Sequence, residues 1–296
     1  MECRMQRGSM GDSGTGGGRG RFGRLGIALS AAVSACALLA ATAQASTVTV
    51  GSVLPPGSTP AKFGEVQTLF NTALPEPGAN LASPATGAVV RWRVQGAKGG
   101  PFYLRVLHPN GKGAYEATSA SLPATPSGEG LQTFSTNLPI HAGDLIGIDP
   151  TSKEDEIGVA EAAGASFAAI FPPPFNGSTL APSSTISGKE IELSAEIQPA
   201  PAITEVTPTS GSVKGGTEVT ITGTSFNGTS AVKFGTAPAS SFTVDSDTQI
   251  TATAPAAAKP AKVDITATTL AGTTGKVRAD LFTYTACVVP KLKARP

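Results

Sequence analysis

The chain has 296 residues, 40% hydrophobic and 15% charged, with 35 Gly, 24 Pro, 3 Cys, 2 His and a formal net charge of +1. Lys and Arg are not clustered, which argues against a nucleic-acid partner. Beyond residue 45 only Cys287 and the two histidines remain, too few for a four-ligand zinc site or an internal disulfide. No cofactor-binding or metal-binding residues are expected.

Arg19, Arg21 and Arg24 precede an apolar stretch from Leu25 to about Ala43, and Ala43-Gln44-Ala45 supplies small residues for cleavage. This is the pattern of a secretory signal over residues 1–45, so an exported, extracellular or cell-surface protein beginning near Ser46 is predicted. Val33-Ser34-Ala35-Cys36 reads alternatively as a relaxed lipobox, which would make a lipid anchor at Cys36 the one membrane attachment; an uncleaved anchor is a weaker alternative. Cleavage after Ala45 leaves Cys287 as the single mature cysteine. Residues 46–200 carry 8 Lys/Arg against 13 Asp/Glu, so the mature chain is mildly acidic.

Residues 46–198 read as an all-β unit, a jelly-roll-like antiparallel sandwich. In Val90-Arg91-Trp92-Arg93-Val94 the alternation places Val90, Trp92 and Val94 inward and both arginines outward. Phe102, Leu104 and Val106 form the next inward set, and a hairpin across Gly96–Gly100 would join the two strands. A helix over 154–163 is opposed by Gly158 and Gly164, which favour a loop. The closing run Glu190-Ile191-Glu192-Leu193-Ser194-Ala195-Glu196-Ile197 alternates strictly, which predicts one buried and one solvated face.

The site candidates in this unit are few. Arg91 and Arg93, with Arg105 on the supposed neighbouring strand, would form a cationic stripe for a carboxylated or sulfated glycan. The competing reading, which is preferred, is a solvated face paired to Glu192 or Glu196. Trp92, between inward valines, reads as core rather than as a sugar platform. Phe171-Pro172-Pro173-Pro174-Phe175 is a stiff loop displaying two rings, either a partner-binding tip or a plug for the sandwich. Glu154, Asp155 and Glu156, with Asp149 nearby, have calcium-type ligands but no spaced pattern, so a solvated loop is preferred.

Catalysis has no sequence support. His108 and His141 border turns, there is no G-x-S-x-G elbow, and no acid sits in a context suggesting a buried, raised pKa. Gln198–Ala202 is a short Pro-rich segment, with a semi-rigid linker expected at 199–202. The wording of SPATGAVVRWRV, FYLRVL and LPIHAGDLIGID resembles an uncharacterised extracellular module of bacterial surface proteins, which implies fold and location only.

From Ala202 onward, short Thr/Val/Ile-rich strands alternate with Gly, Pro, Asn and Asp. Val219 and Ile221, Val232 and Phe234, Ile250 and Ala252, Val263 and Ile265, and Phe282 and Tyr284 are successive inward pairs. The turn Pro208-Thr209-Ser210-Gly211, then Gly215-Gly216-Thr217, Thr222-Gly223, Phe234-Gly235 and Pro255 complete the pattern. Residues 203–285 thereby resemble the IPT/TIG family of immunoglobulin-like domains. The resemblance implies a surface or receptor-type spacer or contact unit without catalytic residues. Asn176-Gly177-Ser178 and Asn227-Gly228-Thr229 match glycosylation sequons but read as turns. In the tail, 286–296, Cys287-Val288-Val289-Pro290 resembles the opening of a PASTA-type cell-wall domain, expected to be truncated.

These readings converge on a non-enzymatic, secreted or surface-exposed adhesion, scaffold or interaction module. Its partner would be an extracellular protein or a cell-wall glycan. A carbohydrate- or wall-binding accessory module is the alternative, with Arg91, Arg93, Arg105, Phe171 and Phe175 as the candidate contact residues.

Overall fold

The computed structural model describes residues 46–55, 57–128 and 130–286, which all fall within one compact unit, 42–296. The expected signal segment with Cys36, and the tail from Cys287 onward, lie outside the described residues. Regular structure among these is all β except for one 3-10 turn, and no helix is long and apolar enough to cross a membrane.

The first sandwich contains β1 (Val48–Gly51), β2 (Thr59–Lys62), β3 (Thr68–Ala73), β4 (Gly87–Val94), β5 (Phe102–Pro109) and β6 (Tyr115–Ala120). It continues with β7 (Gln132–Ile140), β8 (Leu145–Pro150), β9 (Glu156–Ile170), β10 (Thr179–Leu180), β11 (Ser184–Ile191) and β12 (Leu193–Pro199). A small sheet has the order β1-β12-β4-β7; a large one runs β10-β6-β5-β8-β3-β9-β11, with β2 also on β9. Every pairing in both sheets is antiparallel. Set aside β2, the two-residue edge strand β10 and the β9–β11 ribbon, and the remaining eight strands divide between the sheets as in a jelly roll: first, eighth, third and sixth against second, seventh, fourth and fifth.

Apolar side chains at alternate positions fill the space between the sheets. Val89, Trp92 and Val94 of β4 meet Phe102, Leu104 and Val106 of β5, Ile148 of β8 and Leu193, Ala195 and Ile197 of β12. A second cluster, Phe70, Leu107, Ala117, Leu145, Ala168 and Ile170, lies on other positions of the large sheet. Both faces of that sheet are therefore partly covered, which shapes the candidate site below.

Four expectations are corrected. β4 and β5 form no hairpin, because they belong to different sheets. Their connection runs inward: Ala97 is fully buried, and Lys98 exchanges backbone hydrogen bonds with Glu156 at 2.9 Å in both directions. Val89, not Val90, joins the core, since Val90 is the unpaired residue of a bulge against both β7 and β12. Segment 154–163 enters the 15-residue strand β9, where Ile157 and Val159 face the core. Gly158 is needed between them, as a Cβ there would lie 2.2 Å from Gln95 O. Finally, Glu190 and Glu192 are fully buried instead of solvated.

The second sandwich contains β13 (Ala202–Thr207), β14 (Ser210–Ser212), β15 (Glu218–Thr224), β16 (Ala231–Phe234), β17 (Ala237–Pro238), β18 (Ser241–Ser246), β19 (Gln249–Thr253), β20 (Ala261–Thr269), β21 (Gly272–Thr273) and β22 (Leu281–Thr285). One sheet is β13-β15-β19-β18; the other is β14-β22-β20-β16-β17, with β21 on β20. The first strand divides between sheets, β13 antiparallel to β15 and β14 parallel to β22, in an immunoglobulin-like arrangement. Its core contains the inward pairs read from the sequence, with Val263 only partly buried, and adds Phe226. Gly223 has a steric role, because a Cβ there would meet Ala202 O at 2.0 Å and the Phe226 ring at 2.4 Å. The two main cores share no residue. At their junction β12 ends at Pro199 and β13 begins at Ala202, and Gln198 Nε2 donates to Asn227 O at 3.4 Å.

Candidate functional site

Arg105 projects from β5 between Leu104 and Val106, both of which enter the core, so its own side chain lies on the opposite face of the large sheet. Loop 171–178 folds over it. Gly177 N donates to Ala117 O at 2.7 Å and Ala117 N to Ser178 O at 3.0 Å, which fastens the loop to β6. Ser178 Oγ donates to Phe175 O at 2.6 Å and closes the turn at the tip.

Beneath the loop, Arg105 Nε donates to Asp149 Oδ2 at 2.9 Å, and Nη2 donates to the same oxygen. Nη1 reaches the loop, donating to Asn176 Oδ1 at 2.7 Å. Thr68 Oγ1 donates to the other Asp149 oxygen at 2.5 Å. Arg105 and Asp149 are buried to 9% and 4% exposure. Burial pushes the Asp149 carboxyl above its ordinary range, opposed by the Arg105 charge and by hydrogen bonds from Thr68 and Arg105.

An open concavity of about 430 Å³ lies at this point, with Arg105, Asp149 and Asn176 among its polar lining and Tyr103, Pro173 and Phe175 among its apolar lining. Phe175 is 77% exposed. The ring is thus held at the rim of a polar floor, the combination of apolar wall and few placed polar groups that small-ligand sites use.

The five sequence candidates separate. Arg105 and Phe175 meet in this concavity. Phe171 is 52% exposed at the start of the same loop but does not line it. Arg91 and Arg93 lie on β4 in the other sheet, so the three arginines form no stripe. Arg91 Nη1 is 3.1 Å from Glu196 Oε2, and Arg93 Nη2 pairs with Glu196 Oε1. Of the two expected partners, Glu196 takes both arginines and Glu192 takes neither. Trp92 is core, packed against Phe134 with centroids 4.6 Å apart.

Sequence reasoning missed a second polar cluster. Glu190 and Glu192 stand where the chain passes from β11 to β12, one sheet to the other, and neither is exposed. Ser52 Oγ donates to Glu190 Oε1 at 2.8 Å, and the Glu76 carboxyl is close enough for its charge to act on both glutamates. Both Glu192 oxygens, Glu190 Oε2 and Glu76 Oε2 have no partner. Burial first, then the neighbouring carboxyls, pushes Glu190 and Glu192 up to about 7. The expectation that no acid is buried with a raised pKa is therefore corrected. No local signal marks this cluster, because Ser52 and Glu76 are over a hundred residues distant in sequence.

Two further buried acids, Asp144 and Asp155, serve the framework. Asp144, fully buried, accepts from the backbone N–H of His141 at 2.8 Å and lies 2.7 Å from His108 Nδ1. Asp155 accepts from Gly100 N at 2.8 Å, Thr151 N at 3.0 Å and Ser152 N at 2.9 Å, while Glu154 pairs with Lys62. Among the described residues no group of three His, Cys, Asp or Glu is arranged to hold a metal ion.

Comparison with known proteins places the second sandwich. Residues 201–284 match the family model of the IPT/TIG domain. No curated protein matches the chain. Among solved structures, the plexin A4 full extracellular region is similar at 18% identity and a TM-score of 0.29, over 74% of this chain. The chain spans 18% of that protein's length.

Proposed function

We propose that the protein is a non-enzymatic, exported interaction module of the cell surface or extracellular space, and that the concavity beneath loop 171–178 is its contact site. The IPT/TIG domain at 201–284 supports an extracellular spacer or contact role. The observation that carries the reading is Phe175, 77% exposed on a loop whose tip is pinned by Arg105 through Asn176. Exposed rings on rigid supports are characteristic contact anchors, since little conformational freedom is lost on binding. The acids of raised pKa support a non-enzymatic reading: Glu190, Glu192 and Asp280 are sealed from solvent, and Asp149 is engaged by Arg105 and Thr68.

Co-sedimentation of the purified protein with intact cells and insoluble cell wall tests this proposal. Saturable retention weakened roughly tenfold or more by Phe175→Ala is expected. Retention unchanged in both Phe175→Ala and Asn176→Ala, or no retention at all, would remove the concavity from its proposed role.

A further inference from the structure

We infer that the concavity takes an uncharged saccharide, its C–H face on the Phe175 ring and its hydroxyls on the Arg105–Asn176 edge. The inference rests on the reading of this concavity as the contact site and names the class of ligand.

Charge is the first argument. Arg105 and Asp149 already neutralise each other inside the fold, with the guanidinium giving two hydrogen bonds to one carboxylate oxygen. A sulfated or carboxylated ligand would meet a pair with no net charge to offer it, and one that drew Arg105 away would leave Asp149 buried without its counter-ion, at 4% exposure. Removing one partner of a buried pair is among the costliest changes a fold can suffer. A cationic ligand meets the converse difficulty, because the carboxylate is already engaged by Arg105 and Thr68.

Hydrogen-bonding capacity is the second. The contacts described use one N–H of each terminal guanidinium nitrogen and one lone pair of Asn176 Oδ1. Each nitrogen retains a further N–H, and Asn176, itself exposed, retains its amide N–H groups and a second lone pair. Such a mixed edge of donors and acceptors, fixed by internal pairing, suits hydroxyls, which both donate and accept. It gives a purely apolar ligand nothing.

The third is shape. A volume of about 430 Å³ falls in the range of small-ligand sites, and its open form admits the end or the side of a chain. Phe175, with Pro173 on the same loop and Tyr103 on β5, supplies apolar surface beside the polar edge. A pyranose ring has the matching division, with C–H groups on its faces and hydroxyls around its perimeter.

Calorimetric titration of the purified protein decides the matter, using neutral malto-, cello-, xylo-, manno- and chito-oligosaccharides beside sulfated and uronic-acid oligosaccharides. The expected result is saturable binding of a neutral probe, insensitive to salt, and weakened roughly tenfold by Phe175→Ala and measurably by Asn176→Ala. Both positions are exposed, so circular dichroism should show both variants folded. Binding of no neutral probe, neutral binding unaffected by both variants, or preferential, salt-sensitive binding of the charged probes would each overturn the inference. Its failure is separable from that of the contact-site reading. Cell-wall retention lost in Phe175→Ala without binding of any neutral probe would retain the site and reject the ligand class; retention unchanged in both variants would reject the site itself.

Discussion

Arg105 on β5 and Asp149 on β8 are diagonal neighbours: Asp149 stands opposite Tyr103 and Arg105 opposite Gly147, and the guanidinium reaches back to bind one carboxylate oxygen twice. The pair links the strand framework to the candidate site, because Arg105 also holds Asn176 of the covering loop.

Arg105→Ala should therefore destabilise the first sandwich by about 3–5 kcal/mol, the cost of leaving a buried charge unpaired. Asp149 already has a raised pKa through burial and can respond by taking a proton. The loss should accordingly be smaller at mildly acidic pH than above neutrality. Urea unfolding at the two pH values measures both; a loss under about 1 kcal/mol at either would show that the pair contributes little.

Stability should fall as pH rises towards neutrality. Glu190 and Glu192 are raised from 4.5 to about 7, so between these limits the folded chain binds more protons than the unfolded one. Their contribution is fully present below pH 4.5 and is lost as pH rises through 7. Asp280, raised by burial in the second sandwich, acts with the same sign. Thermal unfolding across this window should show the decline. Glu192→Gln should flatten it, since an amide cannot ionise and relieves the repulsion on Glu190 and Glu76. An unchanged slope in that variant would contradict the assignment.

Trp92→Ala and Phe282→Ala should each cost about 3–5 kcal/mol, as large core truncations do. Trp92 packs on Phe134, whereas Phe282 stands edge-on to Phe234 and Tyr284 at 5.2 and 5.1 Å. Because the cores share no residue, calorimetry should show the first substitution lowering one transition and the second lowering another. A single transition shifted alike by both would show that the sandwiches unfold as one.

Arg91→Ala and Arg93→Ala should each change stability by less than about 1 kcal/mol, since both arginines are only partly covered and share one partner, Glu196. Neither should alter cell-wall retention. Lost retention in either variant would relocate the contact surface to the small sheet.

The second sandwich was the more legible in the sequence. Most of its strands bury one face, so Val219 with Ile221 and Phe282 with Tyr284 could be assigned from alternation alone. In the first sandwich alternation located the inward side chains Trp92, Phe102, Leu104 and Val106. It could not show that β4 and β5 belong to different sheets, nor that a bulge exchanges Val89 for Val90. The surroundings of Glu190, Glu192 and Arg105 are not legible for one reason: the groups they meet are far away in sequence, Ser52 and Glu76 for the two glutamates and loop 171–178 for the arginine. Of the candidate site, the ring-bearing loop was legible and its meeting with Arg105 was not, because that contact depends on the order of strands in the large sheet.

The most direct test of the contact site is amide chemical-shift mapping of the protein during titration with a neutral oligosaccharide. Shifts concentrated at Tyr103, Arg105, Ser121, Thr151, Phe175 and Asn176, and requiring roughly tenfold more ligand in Phe175→Ala, are predicted. Shifts confined to the Arg91–Arg93 face or to residues 201–284, or persisting unchanged in the variant, would contradict it.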